Sequence, residues 1–164
     1  MAGRISLDAA DLRILGALQK DGTLSIAALS ERVNLSHNSC WRRLKRLDAA
    51  GVIKGRVALL DPAKLGLQLT AYVSIRTREH SEAWLREFAA AVESLPEIVE
   101  LYRMTGDVDY LMKIRVPSIE AYDAVYKRLI AKVRLTDVSS AFAMEEMKNT
   151  TELPLFAAPS GEDE

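Results

Sequence analysis

Apolar positions recur at helical spacing through the first third of the chain and mostly at strand spacing, broken by two further helices, after it. Leu12, Leu15 and Leu18, with Ile14 beside them, share one face of a helix over 8–20 that Asp8 caps and Asp21-Gly22 ends. Ile26, Leu29 and Val33 predict a shorter helix over 26–33, capped by Ser25. Asn34-Leu35-Ser36 breaks it. Ser36 then caps a third helix over about 37–50 that turns Cys40, Leu44 and Leu47 inward and stops at Gly51. Val52 to Leu60 reads as two short strands around Lys54-Gly55, closed by Asp61-Pro62.

Beyond that point Leu69, Ala71, Val73 and Ile75 alternate as in a strand with one buried face. Ser81 caps a helix with Trp84, Leu85, Phe88, Val92 and Leu95 inward, ended by Pro96. Strands follow over 98–105 and 109–116, on either side of a turn at Gly106-Asp107. Pro117-Ser118 opens a helix with Ile119, Tyr122, Tyr126, Leu129 and Val133 in line, and the last strand covers 138–147. The order βαββαβ is the ferredoxin-like pattern. The expected fold class is therefore α+β: a winged helix-turn-helix domain over 1–62, a ferredoxin-like domain over 63–156, and a disordered acidic tail over 157–164. Two helices cover only one face of such a sheet. Ala71, Val73, Ile75, Leu111, Ala141 and Ala143 are assigned to one face, and Tyr72, Tyr110, Met112, Ile114, Phe142 and Met144 to the other. Both faces then read as apolar, and the uncovered one is expected to meet a second copy.

Charge sharpens this picture. The net charge of −1 conceals ten Lys/Arg against six Asp/Glu in 1–62, and twelve against seventeen in 63–164. A basic first part suggests an anionic partner for it. Four of its cations, Arg42, Arg43, Lys45 and Arg46, fall within five residues of the third helix. With Cys40, Leu44 and Leu47 inward, Asn38, Arg42, Lys45 and Arg46 must face away from the core. Ser36, His37, Asn38 and Ser39 offer short hydrogen-bonding groups at the helix start. A solvated basic face would explain the charge run alone. Helix, turn, basic helix and hairpin together favour double-stranded DNA, with cations on phosphates and the helix start near base edges. Cys40 reads as a small core residue, and Trp41 as packing at the helix edge rather than as a base-stacking ring. One cysteine allows no disulfide within the chain, and His37 and His80 support no metal motif or catalytic triad. No metal or cofactor is expected. No apolar run approaches the roughly 20 residues of a membrane helix, and no signal-peptide core follows Met1, so a cytoplasmic protein is expected.

The stretch Met104 to Tyr110 is open to three readings. It can be a hairpin turn, with Gly106 in an unusual backbone conformation and Asp107 bonding its own backbone. It can be an amino-acid site, with backbone N–H groups for the carboxylate and Asp109 or a carbonyl for the ammonium. It can be an acid/base pair or a cation site.

The chain from about 7 to 156 resembles the Lrp/AsnC (feast/famine) transcriptional regulators. The matching residues are Leu7-Asp8, Ile14-Leu15, Leu35-Ser36, Arg43-Leu44, Arg46-Leu47, Gly51-Val52-Ile53, Leu60-Asp61-Pro62, Gly106-Asp107-Val108-Asp109-Tyr110-Leu111 and Met144 to Lys148. The resemblance implies a winged helix-turn-helix on an effector domain that dimerises through its sheet, dimers assembling further into tetramers, octamers or hexadecamers. It implies an amino-acid effector bound between effector domains. The effector positions it carries over are Arg103, Thr105, Gly106, Asp107, Asp109, Tyr110, Ile119, Ser139, Ser140, Ala141 and Phe142. Cys40 to Leu47, Val57 to Pro62, Trp84, Tyr126 to Leu129, Asp137 to Ser140 and Thr150-Thr151 with Leu153-Pro154 are similar to the cysteine-responsive branch, which makes L-cysteine the first expectation. Where many members have Pro-Gly before the last strand, this chain has Val133-Arg134.

Two other classes compete with a regulator. Siroheme decarboxylases look like this family, but need basic and histidine residues around a porphyrin, and neither His37 nor His80 lies in a pocket segment. An architectural DNA-compacting protein would keep the basic helix and lack a working effector site.

Overall fold

The computed structural model describes residues 5–156. They form two compact units, 5–59 together with 148–156, and 60–147. The acidic tail expected over 157–164 lies outside the described residues.

In the first unit, helix α1 (Ala9–Lys20) starts in a capping box: the Asp8 carboxylate accepts from the Ala10 and Asp11 N–H groups, and the Asp11 carboxylate accepts from Asp8 N–H. Its buried face is Asp11, Ile14, Leu15 and Ala17, whereas Leu12 and Leu18 are only half buried. The apolar stripe is thus turned slightly from the one that leucine spacing suggested. Helix α2 (Ile26–Arg32) is capped by Ser25 and helix α3 (His37–Ala49) by Ser36. Between them Asn34 takes a positive φ of 54°, which sharpens the turn. Leu29, Cys40 and Leu47, all without exposed surface, meet Ile14 in the core. The N–H of Val52 then closes α3 by donating to the Leu47 carbonyl, with Gly51 left-handed before it.

The hairpin expected over 52–60 does not form. No strand occurs there, and Val57, Leu59 and Leu60 are 81, 71 and 69% exposed. Two short strands with no third strand or helix to cover them are marginal in water. Instead, residues from the far end of the chain join this unit. The Gln19 side-chain amide donates to the Leu153 carbonyl at 3.0 Å and accepts from Leu153 N–H at 2.6 Å.

The second unit is a four-stranded antiparallel sheet in the order β2-β3-β1-β4, built from β1 (Leu69–Arg76), β2 (Ile98–Arg103), β3 (Tyr110–Val116) and β4 (Asp137–Phe142). Helices α4 (Glu82–Glu93) and α5 (Ile119–Ile130), capped by Ser81 and Ser118, complete the βαββαβ order. Phe88, Trp84, Val125 and Leu129 pack with Ala71, Val73, Ile75, Tyr110, Met112, Ile114 and Val116. Burying each large apolar side chain contributes about 1.5–3 kcal/mol. Val133 joins this core, and the next carbonyl, Arg134, accepts the Trp84 indole N–H at 3.0 Å.

The register corrects the assignment of faces. Ala71 pairs with Ile114 and Phe142, and Val73 with Met112 and Ser140, so Tyr110, Met112, Ile114 and Phe142 share the helix-covered face. Tyr72 pairs with Lys113 and Ala141, and Ser74 with Leu111 and Ser139, which places all of these on the uncovered face. That face is mixed rather than apolar. Tyr72, Leu111 and Tyr102 stand among the ion pairs Lys113–Glu100 (3.1 Å) and Arg115–Glu146 (2.8 Å). Strand β4 ends at Phe142, short of the expected 147, and Met144 and Met147 are exposed.

Candidate nucleic-acid interface and ligand site

Helix α3 divides its polar residues between two sides. Cys40, Leu44 and Leu47 point to the core, and burial pushes the Cys40 thiol above its ordinary pKa, which suits packing and not nucleophilic chemistry. Ser36, His37, Asn38, Trp41, Arg42 and Lys45 are exposed, while Ser39 and Arg43 are half buried. At 100° per residue, Asn38, Trp41, Arg42 and Lys45 form one outward stripe. Trp41 is 51% exposed and not packed at the helix edge as its sequence suggested; Lys45 Nζ sits 5.7 Å from its ring centroid. The pair borders an open groove of about 440 Å³ lined also by Ile26, Leu44, Ile53 and Arg56.

The other two arginines turn toward α1. Arg43 Nη1 donates to the carboxylates of Asp8 (2.6 Å) and Asp11 (2.9 Å), and Arg46 Nη2 donates to the second oxygen of Asp11. The Asp11 side chain has no exposed surface. The Asp11 N–H and then the Arg43 guanidinium hold the Asp8 carboxyl down from its ordinary pKa of 3.8 to about 2, and the two carboxylates, Asp8 first, push the Arg43 pKa up. Asp8 was legible as a helix cap but not as a partner of α3, and Asp11 carried no signal of either role.

The ligand-site candidates form separate groups within one chain. The turn after β2 brings Met104 N–H onto the Asp109 carbonyl at 2.8 Å, and Gly106 adopts φ +99°. Arg76 Nε donates to the Asp107 carbonyl at 2.7 Å, while its guanidinium pairs with Asp137 at 3.3 Å. The Asp109 carboxylate accepts from Thr77 N–H at 2.8 Å. Arg103, Thr105, Gly106, Asp107, Asp109 and Ser139 thus gather at one end of the sheet, with Asp137, which stands out in the sequence only for its family likeness, and Arg76, which the sequence reading did not single out. Arg76 closes the alternation of β1, the only sequence signal it carries.

The Tyr110 side chain is buried in the core. Its ring lies 4.9 Å from Phe88 and 5.8 Å from Trp84. Ser140 and Phe142 lie on the helix-covered side, where the Tyr122 hydroxyl bonds to Ser140 and its ring meets Phe142 edge-on at 5.2 Å. Ala141 points to the uncovered face. Ile119 is exposed at the start of α5, beyond Val116, and so about 20 Å along β3 from the Gly106 turn.

Comparison with known proteins agrees with both halves of the chain. Residues 7–54 match the family model for winged helix-turn-helix DNA-binding, and residues 70–153 match that for the Lrp/AsnC ligand binding domain. The chain is 54% identical over 149 residues to the glutamate uptake regulatory protein of Zymomonas mobilis, covering 91% of each. It is 50% identical over 150 residues to the DNA-binding transcriptional activator DecR of Escherichia coli, covering 91% of this chain and 99% of DecR. It superposes with a TM-score of 0.85 on a transcriptional regulator of Neisseria meningitidis solved as a complex with L-Met, at 37% identity, covering 91% and 97% of the two chains.

Proposed function

The chain belongs to the Lrp/AsnC family of transcriptional regulators, and on that premise we propose which residues read DNA and which take the effector. It is a DNA-binding transcriptional regulator and not an enzyme. The observation that carries the DNA reading is the outward stripe of α3. Arg42 and Lys45 are exposed beside Asn38 and Trp41, and the helix start presents Ser36, His37 and Ser39. Arg42 and Lys45 neutralise phosphates, while Asn38 and the helix start approach base edges in the major groove. A cytoplasmic location goes with this reading, and no helix among the described residues is long and apolar enough to cross a membrane.

The effector is a small amino acid, with L-cysteine first. Three features support this reading: the similarity to the cysteine-responsive branch, the small residues Ser139, Ser140 and Ala141, and the Gly106 turn, where an added Cβ would meet nothing within 4 Å. Backbone N–H groups of the turn receive the α-carboxylate and Asp107 the ammonium. Because Ile119 starts α5 far from that turn, two copies complete the site between them. Dimers form through the uncovered sheet face and assemble as octamers. The L-Met complex of the Neisseria regulator is an amino-acid complex on the same fold, which supports the ligand class.

The test is binding to a DNA fragment from upstream of the chain's own coding region, with each of the twenty amino acids added in turn and light scattering in parallel. Protection of a defined site, changed by L-cysteine, is the expected result. Binding without sequence preference and without response to any amino acid would favour an architectural protein. A monomer near 18.2 kDa would remove the shared site.

A further inference from the structure

We infer that Asp11 is a positioning residue that withholds Arg43 and Arg46 from DNA and sets the rotation of α3, an inference that rests on α3 being the DNA-reading helix. The basis is geometric. Asp11 is fully buried, each of its carboxylate oxygens takes a different arginine of α3, and Asp8 takes Arg43 a second time. Arg43 and Arg46 are three residues apart on one side of the helix; Arg43 is about 100° round from Arg42, and Arg46, about 40° from Arg42 and about 100° from Lys45, borders the outward stripe. The apolar face Cys40, Leu44, Leu47 packs without directional bonds. Two charge-assisted bonds to one buried carboxylate supply them.

Four adjacent cations all free to move would seize any phosphate backbone, and non-specific binding would compete with the reading of bases. Tying two of them inward lowers the charge offered to phosphates and leaves the outward stripe in one orientation. Arg46 is 47% exposed along its side chain, so it is held by its partner and not by burial.

The experiment measures the salt dependence of binding for the full chain, on a duplex of unrelated sequence and on the upstream fragment. Asp11→Asn keeps an acceptor for Asp8 N–H and removes the charge. Asp8 still holds Arg43, so Arg46 alone is released: the slope of log affinity against log salt should steepen by about 0.9, the value for one additional phosphate contact, and the ratio of specific to non-specific affinity should fall. An unchanged or shallower slope would overturn the inference; a merely structural loss lowers thermal stability and affinity without steepening the slope. Arg46→Gln decides the matter if Asp11→Asn does not fold. Its slope should equal that of the wild type, whereas Arg42→Gln flattens the slope by about 0.9. If Arg46→Gln flattens it as much as Arg42→Gln does, Arg46 contacts DNA and the clamp is refuted. If Arg42→Gln and Lys45→Gln both leave the slope unchanged, α3 is not the reading helix, and this inference fails with that one.

Discussion

The backbone N–H of Thr77 donates to the Asp109 carboxylate at 2.8 Å, tying the end of β1 to the turn that leads into β3. Asp109 N–H returns the bond to the Ile75 carbonyl at 3.0 Å. Asp109 is therefore a structural residue before it is a ligand residue. Asp109→Ala should lower stability by about 1–3 kcal/mol, the cost of a part-buried donor left without its partner. Asp109→Asn, which keeps an acceptor, should recover most of that in urea unfolding. Asp107→Ala should leave stability within about 0.5 kcal/mol and weaken L-cysteine binding by calorimetry. If Asp109→Ala unfolds with the wild-type midpoint, the Thr77 bond holds nothing.

The Asp8 carboxyl carries a pH signature. Its folded pKa is about 2 against an ordinary 3.8, so its contribution is complete above 3.8 and is lost as pH falls through the folded value. Asp8→Asn should be less stable than the wild type at neutral pH, and the gap should close between pH 3.8 and about 2. Thermal unfolding of both proteins across that range checks it; a gap independent of pH would separate Asp8 from this ion-pair network.

Phe88 has no exposed surface, stacks on Trp84 at 5.0 Å and meets Tyr110 at 4.9 Å. Phe88→Ala should cost about 3–5 kcal/mol, read as a lower midpoint in denaturant. Phe88→Leu, closer in volume, should cost well under half of that.

At Gly106 the backbone, not the space, forbids a side chain. The φ of +99° is strained for an L residue, although a Cβ would touch nothing within 4 Å. Gly106→Ala should cost about 1–2 kcal/mol, with no loss of secondary structure by circular dichroism. A neutral substitution would show that the turn relaxes freely.

Local chemistry made the helices legible. Asp8, Ser25, Ser36, Ser81 and Ser118 each cap the helix their position announced, because a cap acts within three residues. The faces of the sheet were harder. Alternation says that Ala141 and Phe142 point opposite ways, but only the register with β1 says which of them meets the helices. The 52–60 segment has strand-like residues and no strand, since pairing depends on a partner that spacing cannot show. Among the candidate DNA residues, the sequence reading turned Asn38, Arg42, Lys45 and Arg46 away from the core, and all four are exposed. It could not see Arg43 and Arg46 turned to Asp8 and Asp11, some 32–35 residues earlier in the chain. The ligand candidates scatter for a related reason: the motif fixes the Gly106 turn, while the distance from that turn to Ile119 is a property of the whole sheet.

The paired bonds between Gln19 and Leu153 set an order on synthesis. Helix α1 emerges from the ribosome early, but its partner at Leu153 follows only after residues 60–147 have been made. At about 5–20 residues per second, that is a delay on the order of ten seconds. During this interval α1, α2 and α3 can pack, yet the groups on Gln19 are still bound to water. The finished DNA-reading unit is thus a late product of translation, completed after the whole effector sheet has left the ribosome.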